Sequence, residues 1–436
     1  MKRFLALAIA ALMILSCAAC SSDGNGDTTA AEDTTAADTV SDVIAAPAND
    51  DTTAPSETAA PAENGGNTAS PAPADRNNNI NIKPAGTAKP SAGGSSTVTP
   101  PKTDNTPVEV ETDPKKIIVS AEKEWIFTEK ITDSCHASTV LPLDDGSVIA
   151  AWFGGSSEKE NDVNIYTSVR TEKDGWSKPI VVSAAAEIAH WNPVLFQKED
   201  GTVILYFKVG KDTDYWQTYY ATSTDGRSWS TPKELVPGDN SGGRGPVKNK
   251  PIRLKDGTVL APASTEIDGE WRAFVDISND DGETWTRTEN VDSKYCICFK
   301  VPMIQPTLWQ SADGSVHMLT RTKVGKIYRS DSYDNGKTWC RAYATKLPSN
   351  NSGIDLDTDD QGRIFLAYNN IGAPGIRTPL VLSVSTDDGK TFTKIKTFEK
   401  GLAEYSYPAV VVKGDTIHIT YTYERDYIAY WQIKVK

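Results

Sequence analysis

The stretch Ser278-Asn-Asp-Asp-Gly-Glu-Thr-Trp285 recurs as Ser332-Tyr-Asp-Asn-Gly-Lys-Thr-Trp339 and as Ser385-Thr-Asp-Asp-Gly-Lys-Thr-Phe392. A copy one residue shorter runs from Ser223 to Trp229. The starts at 223, 278, 332 and 385 stand 55, 54 and 53 residues apart. One further step back falls at Ser168, ahead of a decayed copy ending Asp174-Gly175-Trp176. A fixed period of this length marks an array of identical supersecondary units.

Each copy reads as a hairpin turn with its own fastener. An Asp carboxylate and a Ser hydroxyl accept hydrogen bonds from nearby backbone N–H groups. Gly supplies the positive φ at the reversal, and the closing Trp or Phe buries its ring between units. Asp225, Asp280, Asp334 and Asp387 are therefore expected to fasten turns rather than to catalyse.

Between the copies lie short apolar runs that each follow an Asp-Gly turn: Gly146–Trp152, Gly201–Phe207, Gly257–Ala261 and Gly314–Leu319. Their β-branched content reads as strand, and no long segment has helical periodicity. Four strands per repeat is the arrangement of a β-propeller blade. Residues 116–436 divided by the ~54-residue period give about six blades. The predicted fold is thus all-β, a six-bladed β-propeller of four-stranded antiparallel blades. Its last blade is expected to be shared, Ile117–Thr128 supplying one or more strands and Thr416–Val435 the others, which hides the edges of the ring.

Residues 1–20 read as a secretory signal: Lys2 and Arg3, an apolar run from Phe4 to Leu15, then small residues. The segment resembles a bacterial lipoprotein signal, which implies lipidation at Cys20, or at Cys17 as the second choice. Residues 21–115 are dominated by Thr, Ala, Pro, Asp, Ser, Asn and Gly and contain no aromatic residue. Such a segment cannot bury a core and reads as a disordered tether with an r.m.s. reach of roughly 55 Å. The expectation is an exported, lipid-anchored head on the outer face of a bacterial cell membrane.

The formal charge of −13 argues against a nucleic-acid partner. No cluster of ligand types points to a metal or a cofactor, and a monomer is expected. Cys296 and Cys298 have the spacing of one strand face. With Cys135 and Cys340 they are read as free thiols or one disulfide.

A propeller gathers its site from residues near the starts of the inner strands, one or two per blade. The candidates are His136 in Cys135-His-Ala-Ser-Thr-Val140, Glu158 and Asp162 after Gly154-Gly155, and Asn192 before Pro193. Further along come Arg244, Lys248 and Asn249 in the polar run before Pro251, Gln305 before Pro306, and Arg321 at the end of a strand. Arg377 precedes the last repeat, and Glu404-Tyr405-Ser406-Tyr407-Pro408 follows it.

The repeat S-x-D-x-G-x-[TS]-[WF] resembles the Asp box of the sialidase superfamily, and the resemblance spans 116–436. It implies a cationic clamp for a sugar carboxylate made by Arg321 and Arg377, a Tyr nucleophile at Tyr405 or Tyr407, and an acid at Glu158 with Asp162 second. His136 stands where the family carries an Arg, and Gln305 where it carries the Glu that assists the Tyr; Glu404 is the candidate substitute for that Glu. The resemblance implies an exo-glycoside hydrolase releasing a terminal acidic sugar, sialic acid or a relative, from a glycan. A polysaccharide lyase acting on uronates with His136 and a Tyr as base and acid is the alternative. A glycan-binding surface lipoprotein without turnover is the third reading.

Overall fold

The computed structural model describes Glu111 and residues 113–436, apart from 185–186 and 297–298. The signal, Cys17, Cys20 and most of the tether lie outside the described residues.

Six antiparallel sheets form the blades of a β-propeller. Blade one comprises Ser134–Pro142, Val148–Gly155, Asn164–Thr171 and Gly175–Trp176, with Ile180–Val182 as an added strand. Blade two comprises His190–Gln197, Val203–Val209, Gln217–Ser223 and Lys233–Glu234, and blade three Ile252–Arg253, Val259–Thr265, Arg272–Ser278 and Thr286–Arg287. Blade four runs through Met303–Gln310, Val316–Thr322, Lys326–Ser332 and Tyr343–Pro348, and blade five through Asp355–Thr358, Ile364–Asn369, Leu380–Ser385 and Thr393–Glu399. Blade six takes Tyr405–Lys413, Thr416–Tyr423 and Tyr427–Val435 from the end of the chain and its outer strand, Ile118–Trp125, from the start. The shared blade is thus as expected, except that its inner strand begins at Tyr405, ahead of Thr416.

The apolar side chains sort into six buried clusters, one at each junction between neighbouring blades. Ile149, Phe153, Trp191 and Phe207 fill the junction of blades one and two. Val140, Trp152, Ile428 and Tyr430 fill the closing junction of blades six and one. Stability therefore resides between blades, since a single twisted sheet buries neither face alone.

The Asp boxes form the expected turns. Asp280 Oδ1 accepts from Ser278 Oγ at 2.7 Å and from Thr284 N at 2.9 Å, and Oδ2 accepts from the Thr284 hydroxyl at 2.5 Å. Asp334 and Asp387 repeat this pattern. In each complete box the residue after the Asp also lies at positive φ: Asp281 at 57°, Asn335 at 59° and Asp388 at 61°. That residue reaches back to the preceding blade. Asp281 accepts from Glu199 N, Asn335 donates to Asp256, and Asp388 accepts from the Ser311 hydroxyl and from Trp309 Nε1. The boxes are latches between blades as well as turn fasteners.

Cys296 ends the short strand Lys294–Cys296, and the next strand begins at Phe299. The expectation that Cys296 and Cys298 share one strand face turns on Cys298. Cys298 itself lies outside the described residues. Cys135 is a buried free thiol and Cys340 an exposed one.

Candidate functional site

Four inner strands share one irregularity. The ladder skips between His136 and Thr139, Trp191 and Val194, Ile304 and Thr307, and Ser406 and Ala409. At each skip a residue takes positive φ: Ala137 at 54°, Asn192 at 41°, Gln305 at 51° and Tyr407 at 55°. A bulge of this kind re-aims a side chain that a regular strand would hold in the ladder. In three of the four the next residue is Pro, which has no N–H to lose from the ladder. The X-Pro pairs of Asn192, Gln305 and Tyr407 are the sequence trace of this device.

Tyr407 is the centre of the site. Its Oη accepts from Arg321 Nη1 at 2.5 Å, and the same Nη1 donates to Gln305 Oε1 at 3.1 Å. Arg321 Nε donates to Asn351 Oδ1 at 3.0 Å, and the guanidinium lies 5.0 Å from the Trp271 ring. Arg377 stands 5.4 Å from the Tyr407 ring. Gly353 permits the close passage of blade five: a Cβ there would meet the Tyr407 ring at 3.3 Å and Lys248 Cε at 3.0 Å.

His136 lies against the same phenol, with ring centroids 4.1 Å apart. Its Nδ1 is 2.9 Å from Thr422 Oγ1, whereas its Nε2 has no partner among the described residues although the side chain is only 1% exposed. Burial, followed by the charges of Arg425, Arg377, Arg321 and Lys248, holds the imidazole well below its ordinary value. The ring is therefore neutral at physiological pH, and one nitrogen is left for a ligand.

A chain of alternating charge runs along the rim. Glu158 Oε2 accepts from Arg425 Nη1 at 2.7 Å, Arg425 Nε donates to Glu404 Oε1 at 2.8 Å, and Arg377 Nη1 donates to that same oxygen at 2.6 Å. Burial pushes the Glu404 carboxyl up, but Arg377, Arg425 and the Ser406 hydroxyl together carry it below the usual range. Glu404 is an anchored anion that aims two arginines; its hydrogen-bond partners are Arg377, Arg425 and Ser406 rather than Tyr407.

Beneath the site the channel is filled by bonded side chains. Lys248 Nζ donates to Asn249 Oδ1, Ile354 O and Pro408 O, and Lys250 Nζ to Leu356 O and Val410 O. Burial pulls the Lys248 ammonium down to about 7. Asn249 Nδ2 donates to Gln305 O at 3.1 Å and Pro306 O at 3.0 Å, fixing the bulge of blade four. Lys248 and Asn249, expected to meet substrate, are struts that hold the site from below.

The structure thus brings together His136, Gln305, Arg321, Arg377, Glu404 and Tyr407, with Glu158 at the rim. It separates others. Tyr405 turns from this cluster to pack on Tyr423, 4.9 Å between centroids, because the residue two before a bulge points to the opposite face from the bulged one. Arg244 is bound by Asp276, Asp239 and Trp285 O inside blade three. Asp162 is occupied by Ser156, whose N–H and hydroxyl it accepts, and fastens its own loop. Asn192 is 5% exposed and its amide has no hydrogen-bond partner among the described residues.

Sequence reasoning missed Arg425 and Trp271, and placed Asn351 only within the polar cluster 350–355 ahead of a strand. Arg425 sits in the hairpin Glu424-Arg-Asp426 at φ 64°, and Asn351 at φ 63°. The Glu-Arg-Asp turn was the only signal for Arg425. Among the described residues no group of three or more His, Cys, Asp or Glu side chains is gathered for a metal ion, and no helix is long and apolar enough to cross a membrane.

Comparison with known proteins agrees with this architecture. A model of the BNR repeat-like domain matches residues 146–419. No curated protein matches by sequence. Among solved structures, a protein of unknown function from Dyadobacter fermentans superposes with a TM-score of 0.60 at 16% identity, covering 73% of this chain and 100% of that one. A Hadza microbial sialidase gives 0.59 at 17%, covering 70% of this chain and 66% of that one. The Trypanosoma rangeli sialidase in complex with the inhibitor DANA gives 0.56 at 13%, covering 72% and 60%. At these identities the likeness is one of fold, and the chain spans no more than about two thirds of either sialidase.

Proposed function

The chain belongs to the BNR repeat-like domain family, and from that premise we propose that it is a carbohydrate-active enzyme that releases a terminal acidic sugar from glycans. The observation that carries the reading is the bond between Tyr407 Oη and Arg321 Nη1 at 2.5 Å, with Arg377 beside the same ring. A planar guanidinium pairs bidentately with a carboxylate. A neutral phenol attacks an anomeric carbon beside an anionic substituent without the repulsion that a carboxylate nucleophile meets. Arg321 stabilises the phenolate as it forms, and the unpartnered Nε2 of His136, whose ring lies 4.1 Å from that of Tyr407, is a base for the phenolic proton. Asn192 and Gln305 offer amides for ring hydroxyls.

The same nitrogen favours a second reading. A neutral imidazole beside a Tyr, with arginines to neutralise a uronate carboxylate, is the equipment for β-elimination. Export and lipid attachment through Cys20 belong to the proposal and rest on residues 1–20. The test is incubation of the full chain with sialylated and uronate-terminated glycans, with products read by mass and ultraviolet absorbance. A saturated free acidic sugar, lost in Arg321→Ala, supports hydrolysis. An unsaturated uronate, lost in His136→Ala, moves the protein to the lyases. Binding without any product leaves a glycan-binding module.

A further inference from the structure

The rim leaves one chemical role unfilled. A glycosidic bond breaks when its departing oxygen receives a proton, and the carboxyl expected to give it, Glu158, is held in an ion pair by Arg425. A proton donor must be a carboxyl that stays protonated at the working pH, that faces the reacting atoms and that is not already held by a cation.

Glu266, on another blade, is a partly buried carboxyl that no ion pair holds among the described residues. It follows directly on the strand Val259–Thr265 of blade three, at φ −129°. Ser264, two residues earlier, accepts a hydrogen bond from Gln305 N at 3.2 Å. Side chains alternate along a strand, so Glu266 continues the face of Ser264, about 6–7 Å nearer the mouth. That places it above Gln305 and Arg321. Trp271, at the other end of the same hairpin, carries Arg321 at 5.0 Å and Lys323 at 3.9 Å from its ring. The Glu266 carboxyl is half-buried, and among the described residues it has no hydrogen-bond or ion-pair partner.

We infer that Glu266 is the proton donor of the reaction proposed above, a role moved from blade one to blade three. The inference rests on that reading. The bond changes are these. Tyr407 Oη bonds to the anomeric carbon and its proton passes to His136 Nε2. The bond from that carbon to the leaving oxygen breaks, its electron pair stays on the oxygen, and the oxygen takes the Glu266 proton. Water then attacks the same carbon and gives a proton to the Glu266 carboxylate, while Tyr407 leaves and recovers its proton from His136. Burial raises the Glu266 carboxyl above its ordinary value, against the pull of Arg321 and Lys323 and with the help of Asp214 and Glu158, the charged groups that face it.

The test compares two sialosides with the full chain, sialyllactose and a 4-methylumbelliferyl sialoside whose leaving group departs without a proton. Glu266→Gln is expected to lose on the order of 10²–10⁴-fold on sialyllactose and less than about 10-fold on the aryl sialoside. It is also expected to lose the alkaline fall of kcat/KM that the natural chain should show. Glu266→Asp keeps that fall at reduced rate, and serves if the Gln variant does not fold. An equal loss on both substrates overturns the inference, as does an alkaline fall that survives in Glu266→Gln and disappears in Glu158→Gln. A wild-type chain that cleaves neither sialoside overturns the hydrolase reading and this inference with it.

Discussion

Tyr407 and Arg321 are joined by a 2.5 Å hydrogen bond although 86 residues separate them, and the phenol comes from a bulge while the guanidinium comes from a regular strand. The bulge turns the Tyr407 ring out of the blade six ladder and into reach of blade four. The bond thus depends on two local conformations that have different causes, and each is open to test.

Removing either partner is expected to abolish most turnover. Tyr407→Phe keeps the ring packing against His136 but has no nucleophile, and a loss of at least about 10³-fold in kcat is expected. Arg321→Lys keeps the charge but not the fork to Gln305, Asn351 and Tyr407, and a loss of about 10²–10³-fold in kcat/KM is expected. Steady-state kinetics on the cleaved glycan check both. Activity within a factor of a few of the natural chain in either variant sinks the assignment.

Asn249 is a positioning residue that acts through the Gln305 bulge rather than on Tyr407 directly. Asn249→Asp replaces two donors to the Gln305 and Pro306 carbonyls by a carboxylate that repels them. Leaving those buried carbonyls unmatched costs about 1–3 kcal/mol. The expected result is a lower melting temperature together with a fall in kcat larger than the change in KM. A fall in stability with unchanged kcat marks the residue as purely structural.

The Asp boxes make stability depend on acid pH in a defined direction. The Thr284 hydroxyl and N–H, then the Ser278 hydroxyl, hold Asp280 down at about 2, against an ordinary value of 3.8. Burial pushes Asp334 and Asp387 up, but their Thr and Ser partners outweigh it and leave both below the ordinary value. A carboxyl depressed by folding contributes fully above its unfolded value and loses that contribution as pH falls through its folded value. The contribution of the boxes is therefore expected to be constant above about pH 5 and to be lost steadily from about pH 4 to 2, read as the difference in melting temperature between the natural chain and box variants. Asp280→Asn should remove part of that loss. A difference that stays constant across this range contradicts the account.

Gly389→Ala should destabilise the junction of blades four and five. Gly389 has φ 73°, and a Cβ there would stand 2.7 Å from Trp309 Cζ2. The combined strain is expected to cost about 1–3 kcal/mol, measured by denaturant titration. Gly314→Ala, at φ 91° but with nothing within 4 Å, shares only the backbone term and should cost less. Equal effects would mean that the contact with Trp309 carries no weight.

The ring was legible in the sequence because its determinants are local. A box needs Ser, Asp, Gly and Thr within seven residues, and their spacing alone counted the blades. The site was legible only in part, because its determinants are conformational. Tyr405 and Tyr407 look alike as residues, and a bulge decides which faces His136. Lys248 and Arg244 stand in one polar run, yet one fills the channel and the other pairs with Asp276, a partner 32 residues away. Arg425 lay hidden because a charged hairpin tip ordinarily faces solvent; its two carboxylate partners come from blade one and from the start of blade six.

The outer strand of blade six, Ile118–Trp125, pairs with Tyr427–Val435, about 300 residues later in the chain. Junctions between neighbouring blades can form as each blade is made, since they join segments close in sequence. The final seam cannot. Until the last strand emerges, the first remains an open edge, and the closing contacts bear the loop entropy of nearly the whole ring. Synthesis is thus expected to yield a stack of docked blades with a gap, and closure to be a single late event. A chain stopped short of Tyr427 would keep most of its blade interfaces and expose one hydrogen-bonding edge at each end, the form in which two copies could complete each other's seam.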